Sequence, residues 1–81
     1  MPTVFRYRGY RFFFYSNEGE PLEPLHIHAR KAEAIAKFWL EPEPAVAEAY
    51  NMSPRELREL LEVVIKNREL IRRYWDEYFS L

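Results

Sequence analysis

The chain has 81 residues, 48% of them apolar and 17% aromatic, with a formal net charge of −1. That length fits one domain over residues 1–81 and excludes a Rossmann or P-loop enzyme, whose glycine-rich loop is also missing from a chain with only two glycines. The lack of cysteine excludes disulfides and thiolate-held zinc, and the near-neutral charge gives no global argument for nucleic acid.

In chain order, Val4–Tyr7 and Tyr10–Ser16 read as two strands around Arg8-Gly9, a hairpin signal. A two-residue turn pairs Tyr7 with Tyr10 and Phe5 with Phe12. One face then carries Phe5, Tyr7, Tyr10, Phe12 and Phe14; the other carries Val4, Arg6, Arg8, Arg11, Phe13 and Tyr15. Arg8 is a poor residue for positive φ, and a slip of one residue would exchange the faces. Ser16–Pro24, with Asn17, Gly19 and two prolines, reads as a loop. Leu25–Lys31 alternates, with Leu25, Ile27 and Ala29 on one face and His26, His28 and Arg30 on the other. A short turn at Lys31–Glu33 leads to a strand over Ala34–Leu40, which Glu41-Pro42-Glu43-Pro44 interrupts. Ala45–Tyr50 fits either a short strand or a helical turn.

The last element is the clearest. Ser53 suits an N-cap, Pro54 the first helical position and Glu56 the third position of a capping box. Leu57, Leu60, Leu61, Val64, Ile71, Trp75, Tyr78 and Phe79 then form one stripe, predicting a helix over about 54–79. Such a helix is roughly 40 Å long, about twice a strand of ordinary length. The expected fold is therefore α+β: an antiparallel β-meander of three to four strands within residues 3–50, with one long C-terminal helix packed on one face. Phe5, Phe12, Phe14, Ile27, Trp39 and the helix stripe are the expected core. Arg68 interrupts the stripe; a core-facing arginine needs a partner, for which Glu18 or Glu23 would serve.

Four groups of residues carry the candidate chemistry. His26 and His28, two apart on a strand, project together. They suit a shared divalent metal such as zinc, with Glu23 or Glu20 as a carboxylate ligand. They equally suit acid–base cleavage of a phosphodiester, with Glu23 assisting, or a purely structural role on a half-exposed strand. Arg6, Arg11 and Arg30, interleaved with Tyr7, Tyr10, Phe13 and Tyr15, offer phosphate contacts and rings for RNA or DNA, against the simpler alternative of a solvated sheet face. Val63, Leu70 and Tyr74 make a second apolar shoulder on the helix, for core packing or for a partner protein. Arg68, finally, suits either its structural ion pair or a bound substrate. The surplus of aromatic rings leaves room for a homodimer or a partner chain.

The opening MPTVFRYRGYRFFFYSNEGEPLEPLHIHARK, then AKFWLEP, then NMSPRELRELLEVVIKNRELIRRYWDEYF resembles, over essentially the whole chain, a family of small prokaryotic proteins known only as a domain of unknown function. The resemblance rests on Glu23, Pro24, His26 and His28 in a Glu-Pro-x-His-x-His signature, and on Lys37, Phe38, Trp39, Asn67 and Trp75 later in the chain. Leu25 stands where many relatives have proline, and Ala29 where valine is common. Such proteins are often encoded beside a second small protein, in an arrangement resembling a toxin–antitoxin pair. The resemblance thus implies a partner protein encoded nearby, with an RNA nuclease toxin or a metal-binding accessory protein as alternatives; whether the chain is an enzyme stays open. No signal-peptide pattern opens the sequence, and its longest apolar run, Phe12–Tyr15, is far short of a membrane span. A cytoplasmic protein with no membrane partner is the expectation.

Overall fold

A computed structural model describes residues 3–15 and 23–79. Five antiparallel strands, β1 (Thr3–Tyr7), β2 (Tyr10–Phe13), β3 (His26–Lys31), β4 (Ala34–Trp39) and β5 (Ala45–Tyr50), lie in the sheet in chain order. Two helices follow, α1 (Pro54–Lys66) and α2 (Arg68–Phe79). The fold is α+β, with five strands rather than three or four and with two helices rather than one. Among the described residues, no helix is long and apolar enough to cross a membrane.

The first hairpin has the register that a two-residue turn dictates: Tyr7 pairs with Tyr10, Arg6 with Arg11 and Phe5 with Phe12. Arg8 accepts φ 47 and Gly9 takes φ 85. Positive φ at both central residues matches the twist of the flanking strands. A Cβ at Gly9 would stand 3.2 Å from Cε of Lys31, so the turn also packs closely on β3. Pairing then slips between Thr3 and Phe5, which leaves Val4 as the extra residue. A second irregularity opposite Lys37 and Phe38 leaves Ala47 as the extra residue of β5. Both edge strands thus carry a bulge, a device that blunts edge-to-edge pairing.

Tyr10, Phe12, Phe14, Leu25, Ile27, Ala29, Ala36, Phe38 and Leu40 form the sheet side of the core, and Leu60, Val63, Val64, Ile71 and Trp75 the helix side. Ala29 and Ala36 are opposed in register and fully buried, a small-residue floor between the larger Phe12, Ile27 and Phe38. Burying each such phenylalanine contributes about 1.5–3 kcal/mol. Trp39 is not in this core. It pairs with His26 across the strands and so lies on the opposite face, and Phe38 fills the core position instead.

The helix begins as expected. Ser53 Oγ accepts from the Glu56 amide (3.1 Å), and the Ser53 amide donates to the Glu56 carboxylate (3.1 Å). It breaks at Asn67, whose amide is shared between the Val63 and Val64 carbonyls and whose side chain donates to the Val63 carbonyl at 2.8 Å. Beyond the break, α2 places Trp75 and Phe79 onto Phe14 (ring centroids 5.2 and 6.0 Å apart). Arg68 is held at the surface by Glu41 (3.7 Å) and the Leu40 carbonyl (3.4 Å), and Arg72 also pairs with Glu41. Glu41, not Glu23, is therefore its partner among the described residues; Glu18 lies outside them.

Candidate functional site

The helices pack on one face of the sheet; the other face carries the polar candidates, with α2 reaching its His26 end through Trp75. Cross-strand register arranges them in rows. The first row runs Arg6, Arg11, Arg30, Ile35, Tyr50 across all five strands. The second runs Thr3, Phe13, His28, Lys37, Glu48, and the third contains His26, Trp39 and Ala45.

In the first row, directly opposed side chains start with Cβ atoms about 4.5–5.5 Å apart, close enough for like charges to repel. Arg11 leans onto the Phe13 ring, its guanidinium 4.2 Å from the centroid, and Nη1 donates to Thr3 Oγ1 at 3.2 Å. Among the described residues, no carboxylate makes an ion pair with Arg6, Arg11 or Arg30. Three neighbouring strands thus carry three arginines in direct register, with no carboxylate of those residues paired to them. Lys37, one row away, is paired with Glu23 at 3.9 Å and sits over the Trp39 ring at 4.4 Å.

The two imidazoles do project together, with ring centroids 5.2 Å apart. Their environments differ. His26 is fully buried, with the Trp39 and Trp75 rings at 5.4 and 5.2 Å. Its Nδ1 lies 2.9 Å from the Pro24 carbonyl oxygen. A carbonyl can only accept, so Nδ1 carries a proton and donates it to Pro24. His28 is half-buried, stacked on Phe13 (5.6 Å) and met by the edge of Tyr15 (4.6 Å). Phe13 itself is buried despite lying on this face, under Arg11, Tyr15 and His28.

A metal fits these residues incompletely. The described residues include no group of three His, Cys, Asp or Glu side chains able to hold a cation. His26 spends Nδ1 on a carbonyl and Glu23 is engaged with Lys37; Glu20 lies outside the described residues. Solvent exclusion also bars His26 from direct proton exchange with an external substrate, so of the two rings only His28 meets solvent.

The apolar shoulder divides between two environments. Val63 is buried in the core and Leu70 packs against it, while Tyr74 is exposed. Tyr74 and Tyr78 instead line a shallow cleft of about 300 Å³ with Thr3, Phe14 and Glu77.

A second polar cluster, unforeseen from the sequence, joins the hairpin to α1. The Tyr7 hydroxyl donates to Glu59, which also pairs with Arg8 at 3.3 Å; the Tyr10 hydroxyl donates to Glu56 at 3.1 Å. The Ser53 amide and the Tyr10 hydroxyl hold Glu56 below the usual carboxylate range. The bond to Glu59 raises Tyr7, and burial followed by the bond to Glu56 raises Tyr10. Tyr7 and Tyr10 are therefore tied to the helix side and take no part in the arginine face. The signal was present in the pairing of the two tyrosines across the hairpin and the spacing of Glu56 and Glu59 along one helical face.

The family described as a domain of unknown function, DUF4160, matches residues 9–76. The chain belongs to the DUF4160 family. The DUF4160 segment spans β2 to most of α2 and includes Arg11, Arg30, both histidines and both tryptophans; Arg6 precedes it. No curated protein and no solved structure matches the chain.

Proposed function

We propose that this protein is an RNA-binding member of a toxin–antitoxin-like two-gene module, with the open sheet face as its nucleic-acid surface. The observation that carries the proposal is the Arg6–Arg11–Arg30 row, set beside half-buried rings and lacking a carboxylate counter-charge among the described residues. Like charges directly opposed across strands destabilise a sheet, and a polyanion laid across the row reverses the sign of that term. Backbone phosphates are the ligand that guanidiniums recognise most readily.

Binding of a fluorescein-labelled single-stranded RNA, followed by anisotropy over a salt series, tests it. Three phosphate contacts give a slope of log K against log salt of about −2, and each Arg→Ala change reduces its magnitude by roughly 0.7. Unchanged binding in Arg6→Ala, Arg11→Ala and Arg30→Ala would remove the proposal.

A second activity, protein–protein interaction with the product of a neighbouring gene, is favoured by the exposed Tyr74 and Tyr78 one helical turn apart beside Glu77. A pull-down of that product that Tyr74→Ala does not weaken would assign the contact elsewhere. The Glu-Pro-x-His-x-His segment enters the proposal through position: His28 lies in the row next to the arginines, Glu23 is tied to Lys37 of that same row, and His26 is buried one row further on. If RNA is cleaved as well as bound, His28 is the group with access; cleavage unaltered in His28→Ala would exclude it.

A further inference from the structure

Two tyrosines mark the class of nucleic acid. On this face, Tyr15 and Tyr50 are 38% and 58% exposed, so both rings are open to a ligand. Tyr50 stands in the arginine row itself, beyond Ile35 on the edge strand. Tyr15 packs against His28 and Phe13 of the neighbouring row. One exposed ring thus ends the arginine row and the other stands beside the neighbouring Phe13–His28 row on the same face. A duplex turns its phosphates outward and hides the faces of its bases inside the stack, so the arginines would find partners and the tyrosines none. An acidic peptide would likewise engage the charges and leave the rings idle. A single strand exposes both phosphates and base faces, and stacking on aromatic rings is the usual sequence-tolerant way to hold it.

Resting on the nucleic-acid reading of this face, we infer that its ligand is single-stranded, with phosphates on Arg6, Arg11 and Arg30 and bases stacked on Tyr15 and Tyr50.

The test is competition against a fluorescein-labelled single-stranded RNA with three competitors at equal phosphate: the same RNA unlabelled, its fully paired duplex, and inorganic polyphosphate. The unlabelled single strand should compete about tenfold better than either of the others. Tyr50→Ala, at the more exposed ring, should weaken single-strand binding about fivefold or more and leave the salt slope unchanged, because a ring releases no counterions. Tyr15→Ala should act alike, and Tyr15→Phe, which keeps the ring and its packing on Phe13, should restore affinity. Ile65→Ala, at an exposed position on α1, should bind as wild type does. Equal competition by duplex or polyphosphate, or wild-type affinity in both Tyr50→Ala and Tyr15→Ala, overturns the inference and leaves a face that reads charge alone. Loss of the effect of Arg30→Ala as well would overturn the nucleic-acid reading beneath it.

Discussion

Replacing Arg30 by threonine should make the fold more stable and the protein a poorer RNA binder. Arg30 is exposed, lies opposite Arg11 on β2 and Ile35 on β4, and makes no ion pair with a carboxylate among the described residues. The change therefore removes one like-charge cross-strand pair. Two unit charges about 6 Å apart in a nearly aqueous dielectric repel by roughly 0.7 kcal/mol, within the range of about 0.2–1 kcal/mol for such pairs. Threonine also suits a strand. A gain of about 0.5 kcal/mol corresponds, for a domain of this size, to a rise in Tm of about 2–4 °C. Thermal unfolding followed by circular dichroism measures it. The gain should shrink in concentrated salt, where the screening length falls from about 10 Å at 0.1 M to about 3 Å at 1 M. A lower Tm for Arg30→Thr at low salt would refute the reasoning, because it would mean that Arg30 holds a structural contact rather than a strained charge.

Other outcomes follow from the packing. Phe38→Ala, at a fully buried core position, should cost about 3–5 kcal/mol, measurable by urea unfolding and a large part of the stability of a domain of this size. Asn67→Ala removes the side-chain bond to the Val63 carbonyl and should cost about 1 kcal/mol, with the same readout. Glu56 is held below the ordinary carboxylate range in the folded state, so its contribution is present above the unfolded pKa and is lost as pH falls through the lowered folded value; Glu56→Gln should flatten the acid limb of a stability–pH profile. Tyr10 is shifted the other way, from an ordinary value of 10.0. Its contribution is complete below that pH and lost as pH rises through the raised folded value, and Tyr10→Phe should reduce the alkaline fall.

Much of this architecture is legible in the residues. The Arg8-Gly9 turn and the alternation on either side of it set the pairing of Phe5 with Phe12, and the capping box fixes where α1 begins. The alternation in Leu25–Lys31 correctly places both histidines and Arg30 on one face. What escaped reading depends on contacts made elsewhere in the fold. Ala45–Tyr50 is rich in alanine, which suits a helix as well as a strand, and only pairing with β4 decides it. The break at Asn67 leaves the apolar stripe almost uninterrupted, so periodicity alone gives one helix; the local bond to Val63 marks the division. Trp39 and Phe38 are both apolar, and one step of register decides which enters the core. The burial of His26 depends on Trp75, far away in sequence on α2. The sequence groups Arg6, Arg11 and Arg30 as candidate phosphate contacts, but their direct opposition in one row comes from register across three strands.

The most direct test of the central claim is the salt dependence of single-stranded RNA binding by the wild type and by a variant carrying Arg6→Ala, Arg11→Ala and Arg30→Ala together. The account predicts measurable binding by the wild type with a log–log slope of about −2, and loss of both the affinity and the slope in the folded triple variant. Binding that survives the triple change with its slope intact would contradict the account.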